Sequence, residues 1–268
     1  MSEAFRRRVR AELKALAKPD VREGQERYFK GVVRFHGVKL PLVRPVARAC
    51  WVDLAPRGDH LVLAEALDLL EQPLFEEKHV GVSLLARLAR RLPASFLRRL
   101  EPVFDRAVCD WATCDDLCGH VLRPMVRRDE AAARTLLRWS RHANPWRRRA
   151  SAVAWVNEAR HGVFTDQILA IAANVVRCPD RFAQLGAGWV LREVTLADRT
   201  RALGFLAEHR DRLSREALRY AVEKLPPDLR ARVLAGPPMP LGRTGVQPAA
   251  PARGSRRPVP GRLARARR

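Results

Sequence analysis

A chain of 268 residues with 47% hydrophobic side chains is long enough to bury a sizeable core, as one elongated domain or two small ones. No apolar run reaches membrane-spanning length and residues 1–8 lack the apolar stretch of a secretory signal, so the chain reads as cytoplasmic, nucleoid-associated in a bacterial host. Its 51 Lys and Arg against 29 Asp and Glu give a net charge of +22, which favours a polyanionic partner without naming it, because an Arg-, Ala- and Pro-rich composition is also what a GC-rich genome encodes.

Residues 2–235 read as almost entirely helical. Residues 28–41 join two N-terminal helices, with Gly37 at a helix C-terminus and Pro41 at a new start. The basic residues here, Lys30 among them, can touch a phosphate backbone, although packing explains them equally well. Leu61, Leu63, Ala64, Leu67 and Leu70 then recur at helical spacing. So do Val80, Leu84, Leu85 and Leu88, and after them Phe96, Leu100, Val103 and Phe104. Pro73 and Pro93 sit near helix openings. Asn144-Pro145 offers an N-cap followed by proline at the first helical position. Thr195 and Asp198 have the spacing of an approximate capping box, and Ser214 can cap the helix that runs through Leu218 and Ala221. Residues 236–268 are rich in Pro, Gly and Arg and carry no acidic residue; they are expected to form a disordered basic tail.

Two helices of about 12–18 residues with short joints make a unit of about 35–45 residues, the range of HEAT- and armadillo-like repeats. The expected fold is therefore all-α, a curved α-solenoid of HEAT-like antiparallel helix pairs over residues 1–235. A compact helical bundle would carry the same periodicity. The odd set Cys50, Cys109, Cys114, Cys118 and Cys178 argues against a disulfide framework. Cys114, Cys118 and His120 lack the further ligands that a zinc site needs, so no metal is expected.

Three tryptophan-centred segments carry the chemistry. Trp111 and Asp115 are four residues apart, on one helical face, where an indole and a carboxylate together can stabilise a cation. A core Trp with an exposed Asp would have the same spacing. Arg147, Arg148 and Arg149 follow Trp146 in the first turns of a helix, where positive charge opposes the dipole yet suits a phosphate receptor. Arg149 lies beside the apolar face that runs through Trp146, Ala150 and Val153. Gly186-Ala187-Gly188 places small residues ahead of Trp189 and leaves room for close approach of another backbone; Arg192 and Glu193 can form local ion pairs.

Together the segments resemble the AlkD-type DNA alkylation repair family of DNA glycosylases. The matching pieces are Tyr28-Phe29-Lys30, Gly37-Val38-x-x-Pro41-x-x-Arg44, Trp111-x-x-x-Asp115, Asn144-x-Trp146-x-x-Arg149-Ala150, Gly188-Trp189-Val190-Leu191-Arg192-Glu193 and Ser214-Arg215-Glu216-Ala217. The resemblance implies a single-domain solenoid, monomeric, whose concave basic face holds double-stranded DNA. It implies excision of cationic N-alkylated purines such as 3-methyladenine and 7-methylguanine, with neither metal nor cofactor. It makes Asp115 the catalytic carboxylate, sets Trp111 and Trp189 along the deoxyribose of the lesion, and gives Arg149 the nearby backbone, or Arg148 if the register slips by one. Trp146, Arg192 and Lys30 complete the expected DNA-binding set. The sequence departs from the family at Ala112, where Asp often follows the Trp. A non-catalytic helical-repeat module that binds DNA or RNA, and a protein–protein scaffold, are the competing readings, and release of free base from methylated duplex DNA separates them from the enzyme.

Overall fold

The computed structural model describes residues 3–235, and the expected basic tail lies outside them. The described residues form helices α1 (Glu3–Ala15), α2 (Pro19–Tyr28), α3 (Leu40–Leu54), α4 (Asp59–Leu70), α5 (Phe75–Leu88), α6 (Phe96–Ala107), α7 (Trp111–Leu117) and α8 (Arg123–Arg128). They continue with α9 (Glu130–Trp139), α10 (Pro145–Val153), α11 (Val156–Arg160), α12 (Thr165–Val175), α13 (Arg181–Ala197), α14 (Arg199–His209), α15 (Arg215–Ala221) and α16 (Pro227–Ala235). Helices α7 and α8 are one rod joined by a π turn at Cys118–Leu122, which holds one residue more than an α turn. No described helix is long and apolar enough to cross a membrane.

The helices stack in two rows. In the first, α3 packs on α5, α5 on α7, α7 on α10, α10 on α13 and α13 on α15. In the second, α4 packs on α6 and α9 on α12, and the Phe104 and Trp139 rings bridge α6 to α9 at 5.1 Å. One continuous apolar core runs between the rows from Phe5 to Val233, so each helix pair buries its apolar stripe only against its neighbours. That is the expected α-solenoid.

Ion pairs carry the imprint of the repeat. Arg91–Asp59, Arg106–Glu71, Arg149–Asp115, Arg123–Glu158, Arg160–Glu193 and Arg181–Glu216 each join residues 32–35 positions apart. A helix pair and its joints occupy about that length, so these guanidiniums stitch one unit to the next. The period sits at the short end of the expected range.

Two caps fall where the sequence placed them. Asn144 Oδ1 accepts from the Trp146 N–H at 2.8 Å with Pro145 behind it, and Ser214 Oγ accepts from the Ala217 N–H at 3.1 Å. The Thr195–Asp198 box is not formed. Thr195 lies inside α13, where its hydroxyl donates to the Leu191 carbonyl at 2.8 Å, and Asp198 alone caps α14 through the Arg201 N–H. Gly37 is not at a helix C-terminus either, since α2 ends at Tyr28. It turns the loop between α2 and α3 at φ +95°.

That loop is pinned by buried Glu76 at the start of α5. Its carboxylate accepts from the His36, Gly37 and Val38 N–H groups at 2.9, 3.0 and 2.9 Å. The Gly37 carbonyl in turn accepts from Lys18 N–H. A Cβ on Gly37 would stand 2.6 Å from the Lys18 carbonyl oxygen, in a conformation that L residues rarely adopt. Gly37→Ala is therefore expected to lower unfolding free energy by at least about 2 kcal/mol, read as a shift of the urea midpoint at unchanged slope.

Candidate functional site

A cleft of about 660 Å³ opens across the N-terminal ends of the first-row helices. Trp111 opens α7, Trp146 and Arg149 lie in the first turns of α10, and Arg181 and Phe182 open α13, all on the cleft wall. Tyr28, Phe29 and Lys30 close it from the loop after α2, and Tyr220 of α15 closes it from the other end. Helix N-termini leave unpaired N–H groups and partial positive charge, so this edge favours an anion before any side chain is counted.

Ring stacking sets the walls. Trp111 lies on Phe29, with centroids 5.5 Å apart and planes 6° from parallel, and Tyr28 meets it edge-on at 6.1 Å. Phe29 rests on Phe35 and Phe75, and this small second core also receives Ala112. An aspartate at position 112 would put a charge among phenyl rings; the departure from the family pattern fits the apolar surroundings. Across the cleft, Trp146 stacks on Phe182 at 5.1 Å. Each such pair contributes about 0.5–1.5 kcal/mol beyond its burial, so the indoles are held by a second ring and present a fixed face.

Asp115 and Arg149 lie at the cleft floor as a two-bond pair. Arg149 Nε and Nη2 donate to Asp115 Oδ1 and Oδ2, both at 2.8 Å, and Nη1 donates to the Phe182 carbonyl at 2.8 Å. The side chains are 17% and 7% exposed. Arg149 reaches the cleft surface, whereas Asp115 stands behind it. Burial raises the Asp115 carboxyl above its usual value of 3.8, and the Arg149 hydrogen bonds and charge only partly oppose it. Gly186 makes room for this arginine, since a Cβ there would meet Arg149 Cγ at 3.1 Å. Gly188 does the same for α15, with the Ala217 carbonyl oxygen 2.7 Å from a hypothetical Cβ, which is the close backbone approach that the small residues predicted.

The other expected DNA-binding arginines are committed inside the protein. Arg148 donates to the His142 carbonyl at 2.6 Å and to the Asn174 and Arg141 carbonyls. Arg192 pairs with Glu193 and Glu223 and lies 4.8 Å over the Tyr220 ring. Lys30 is exposed on the cleft lip in a left-handed conformation. Trp189 continues the stripe of Phe182 and Leu185 along α13 but does not line the cleft; it is half-buried, and its indole N–H is buried without a partner. Asp116 faces away from Asp115 and pairs with His79 Nδ1 at 2.5 Å. Cys114 and Cys118 are buried against the Trp146 and Ala150 carbonyls, and no cluster of three potential metal ligands occurs among the described residues.

Phe29, Phe182, Arg181 and Tyr220 complete the cleft without having stood out as site residues. Phe182 had one legible signal, its place three and seven residues ahead of Leu185 and Trp189 on one helical face.

Fold and site define a helical-repeat protein with an aromatic-walled, N-terminal-edge cleft over a buried carboxylate–guanidinium pair. The chain belongs to the DNA alkylation repair enzyme family, whose model matches residues 9–225. Among solved structures it is similar to one described as a predicted DNA alkylation repair enzyme from Enterococcus faecalis, at TM-score 0.70 and 15% identity, over 79% of this chain and 97% of that one. At that identity the likeness concerns the fold. No curated protein matches the chain.

Removing one partner of a buried pair leaves the other uncompensated and costs about 3–5 kcal/mol. In Arg149→Ala the Asp115 carboxyl would lose the only contact that lowers its pKa, and its value in the folded state would rise further above the unfolded one. Ionised Asp115 then penalises the fold at neutral pH, and protonation relieves the penalty as pH falls through that raised value. The stability gap between Arg149→Ala and the parent is expected to be widest near pH 7.5 and to narrow towards pH 5 in denaturant titrations.

Proposed function

We propose that the chain is a monofunctional DNA glycosylase, acting as a monomer, that hydrolyses the N-glycosidic bond of cationic N-alkylated purines, 3-methyladenine and 7-methylguanine, in duplex DNA and leaves an abasic site. The observation that carries this reading is the Asp115–Arg149 pair beneath stacked indoles at a cationic helix edge.

An alkylated purine bearing a positive charge is already a good leaving group. Breaking the C1′–N bond sends its electron pair to the base, which departs neutral, and leaves positive charge on the sugar. A carboxylate close to that sugar stabilises the charge, and it can accept the proton of the water whose oxygen bonds to C1′. While Arg149 holds both oxygens of Asp115, the pair is neutral and offers little field to a cation. The phosphate beside the lesion therefore has a second task. It draws the Arg149 guanidinium off Asp115, since arginine forks fit phosphate and carboxylate alike, and the carboxylate so freed takes the cationic sugar as its new partner. Trp111 and Trp189 flank the deoxyribose, and Trp146 and Lys30 hold the backbone on the cleft lip.

The alternative is a non-catalytic module for nucleic acid. It has one observation in its favour, that Asp115 is engaged by Arg149 and stands off the cleft surface, as a structural pair would. Chromatography of bases released from methylated duplex separates the two. Asp115→Asn is expected to lose at least about 100-fold in release of 7-methylguanine while keeping duplex affinity; undiminished release removes Asp115 from the chemistry. Because burial raises the Asp115 carboxyl, the enzyme-dependent rate is expected to fall with decreasing pH through a value above 3.8, after subtraction of spontaneous depurination.

A further inference from the structure

A second cavity, of about 530 Å³, lies at the opposite end of the rod that starts at Trp111. It is lined by Arg90, Arg123, Pro124, Arg127 and Arg128. Arg127 is 16 residues beyond Trp111, which at about 1.5 Å per residue puts the notch about 24 Å from the cleft wall. A third notch lies beside the rod between them. Asp116 and His120 follow Asp115 along the rod and line one notch with His79, Ser83 and Arg87 of α5, and Arg90 comes three residues after Arg87.

Charge at the far notch is not cancelled locally. Arg123 and Arg127 share one buried carboxylate, Glu158, at 3.0 and 3.4 Å, and Arg128 spends its guanidinium on the Leu92 carbonyl, a neutral partner. Arg90 is exposed. Four guanidiniums face one carboxylate, and 57% of the Arg127 side chain remains in solvent. Planar forks held this way by a buried acceptor are set for the oxygens of a phosphodiester.

We propose that this four-arginine notch binds backbone phosphates of the strand opposite the one seated in the cleft. The proposal rests on the duplex reading above. A single strand lying along the N-terminal ends of α7, α10 and α13 stays at that edge and has no second backbone to offer. A duplex over the same edge reaches further: its second backbone lies across a groove about 12 or 6 Å wide, within the span of about 24 Å that ends at the far notch. The notch thus makes the protein a reader of double-strandedness.

The test is the affinity of the full chain for a short undamaged duplex and for one of its strands, across a series of salt concentrations. Arg90→Ala/Arg127→Ala leaves Arg123 on Glu158 and Arg128 on Leu92. It is expected to reduce the slope of log affinity against log salt for duplex by about 2, to weaken duplex binding roughly tenfold or more near 0.15 M salt, and to change single-strand affinity by less than about twofold. Arg90→Lys/Arg127→Lys should regain most of the slope. Arg98→Ala/Arg99→Ala, on exposed positions of second-row α6, removes the same charge and should leave the slope in place. An unchanged duplex slope, an equal loss in the α6 variant, or an equal loss for single strand overturns the proposal. A parent chain that releases no base would overturn the glycosylase reading while the affinity comparison still judges the notch.

Discussion

One guanidinium holds three consecutive first-row helices in register. Arg149 leaves α10, forks onto Asp115 of α7 and donates its remaining nitrogen to the Phe182 carbonyl of α13. The cleft exists because those helix ends stand at these relative heights. Trp111 sits one turn before Asp115, and Trp146 one turn before Arg149, so the contact that sets the helices also aims both indoles. Burying two charges is costly, and only good geometry with every fork position filled makes it tolerable. The same completeness leaves the charge of the carboxylate neutralised by its partner.

The strong positive charge of the chain is distributed with a purpose that composition hides. Many arginines face not solvent but the neighbouring repeat, at separations of 32–35 residues, and are neutralised there by Asp and Glu. Arg147, on Asp105 at 2.7 Å and over the Trp139 ring, is neutralised in the same way across a longer separation of 42 residues, although it opens a helix that seemed built for phosphate. What is left for a polyanion is narrower than a net charge of +22 suggests. It includes Lys30 on the cleft lip, the helix N-termini of the first row, and exposed Arg90 and Arg127 at the far end of the α7–α8 rod.

Helices and the caps at Asn144 and Ser214 were legible because they depend on neighbours within four residues. Apolar spacing marked α4, α5 and α6, and Asn144 and Ser214 announced their caps. Local reading failed where one residue type serves two local purposes. Thr195 bonds back to Leu191 inside a helix instead of capping the next one, and Gly37 supplies its positive φ to a loop rather than to a helix end. At the cleft, the i, i+4 rule set Trp111 and Asp115 on one face. It could not show that Phe29, 82 positions before Trp111 in the chain, would lie parallel beneath it, or that Arg148 and Arg192 would be consumed by carbonyls and carboxylates. Those are contacts between repeats, and no local window contains both partners.

The π turn at Cys118–Leu122 has a geometric effect out of proportion to its length. A π turn completes one revolution with one residue more than an α turn, so it absorbs a one-residue offset in the sequence without turning the rod that follows. Asp116 and His120 precede that offset or lie within it, and Arg123 and Arg127 follow it. Deleting a single residue there would leave both halves of the rod helical and well packed by their own standards. The distal cations would keep their side of the rod, whereas the same deletion on either side of the turn would swing them about 100° away from the aromatic end.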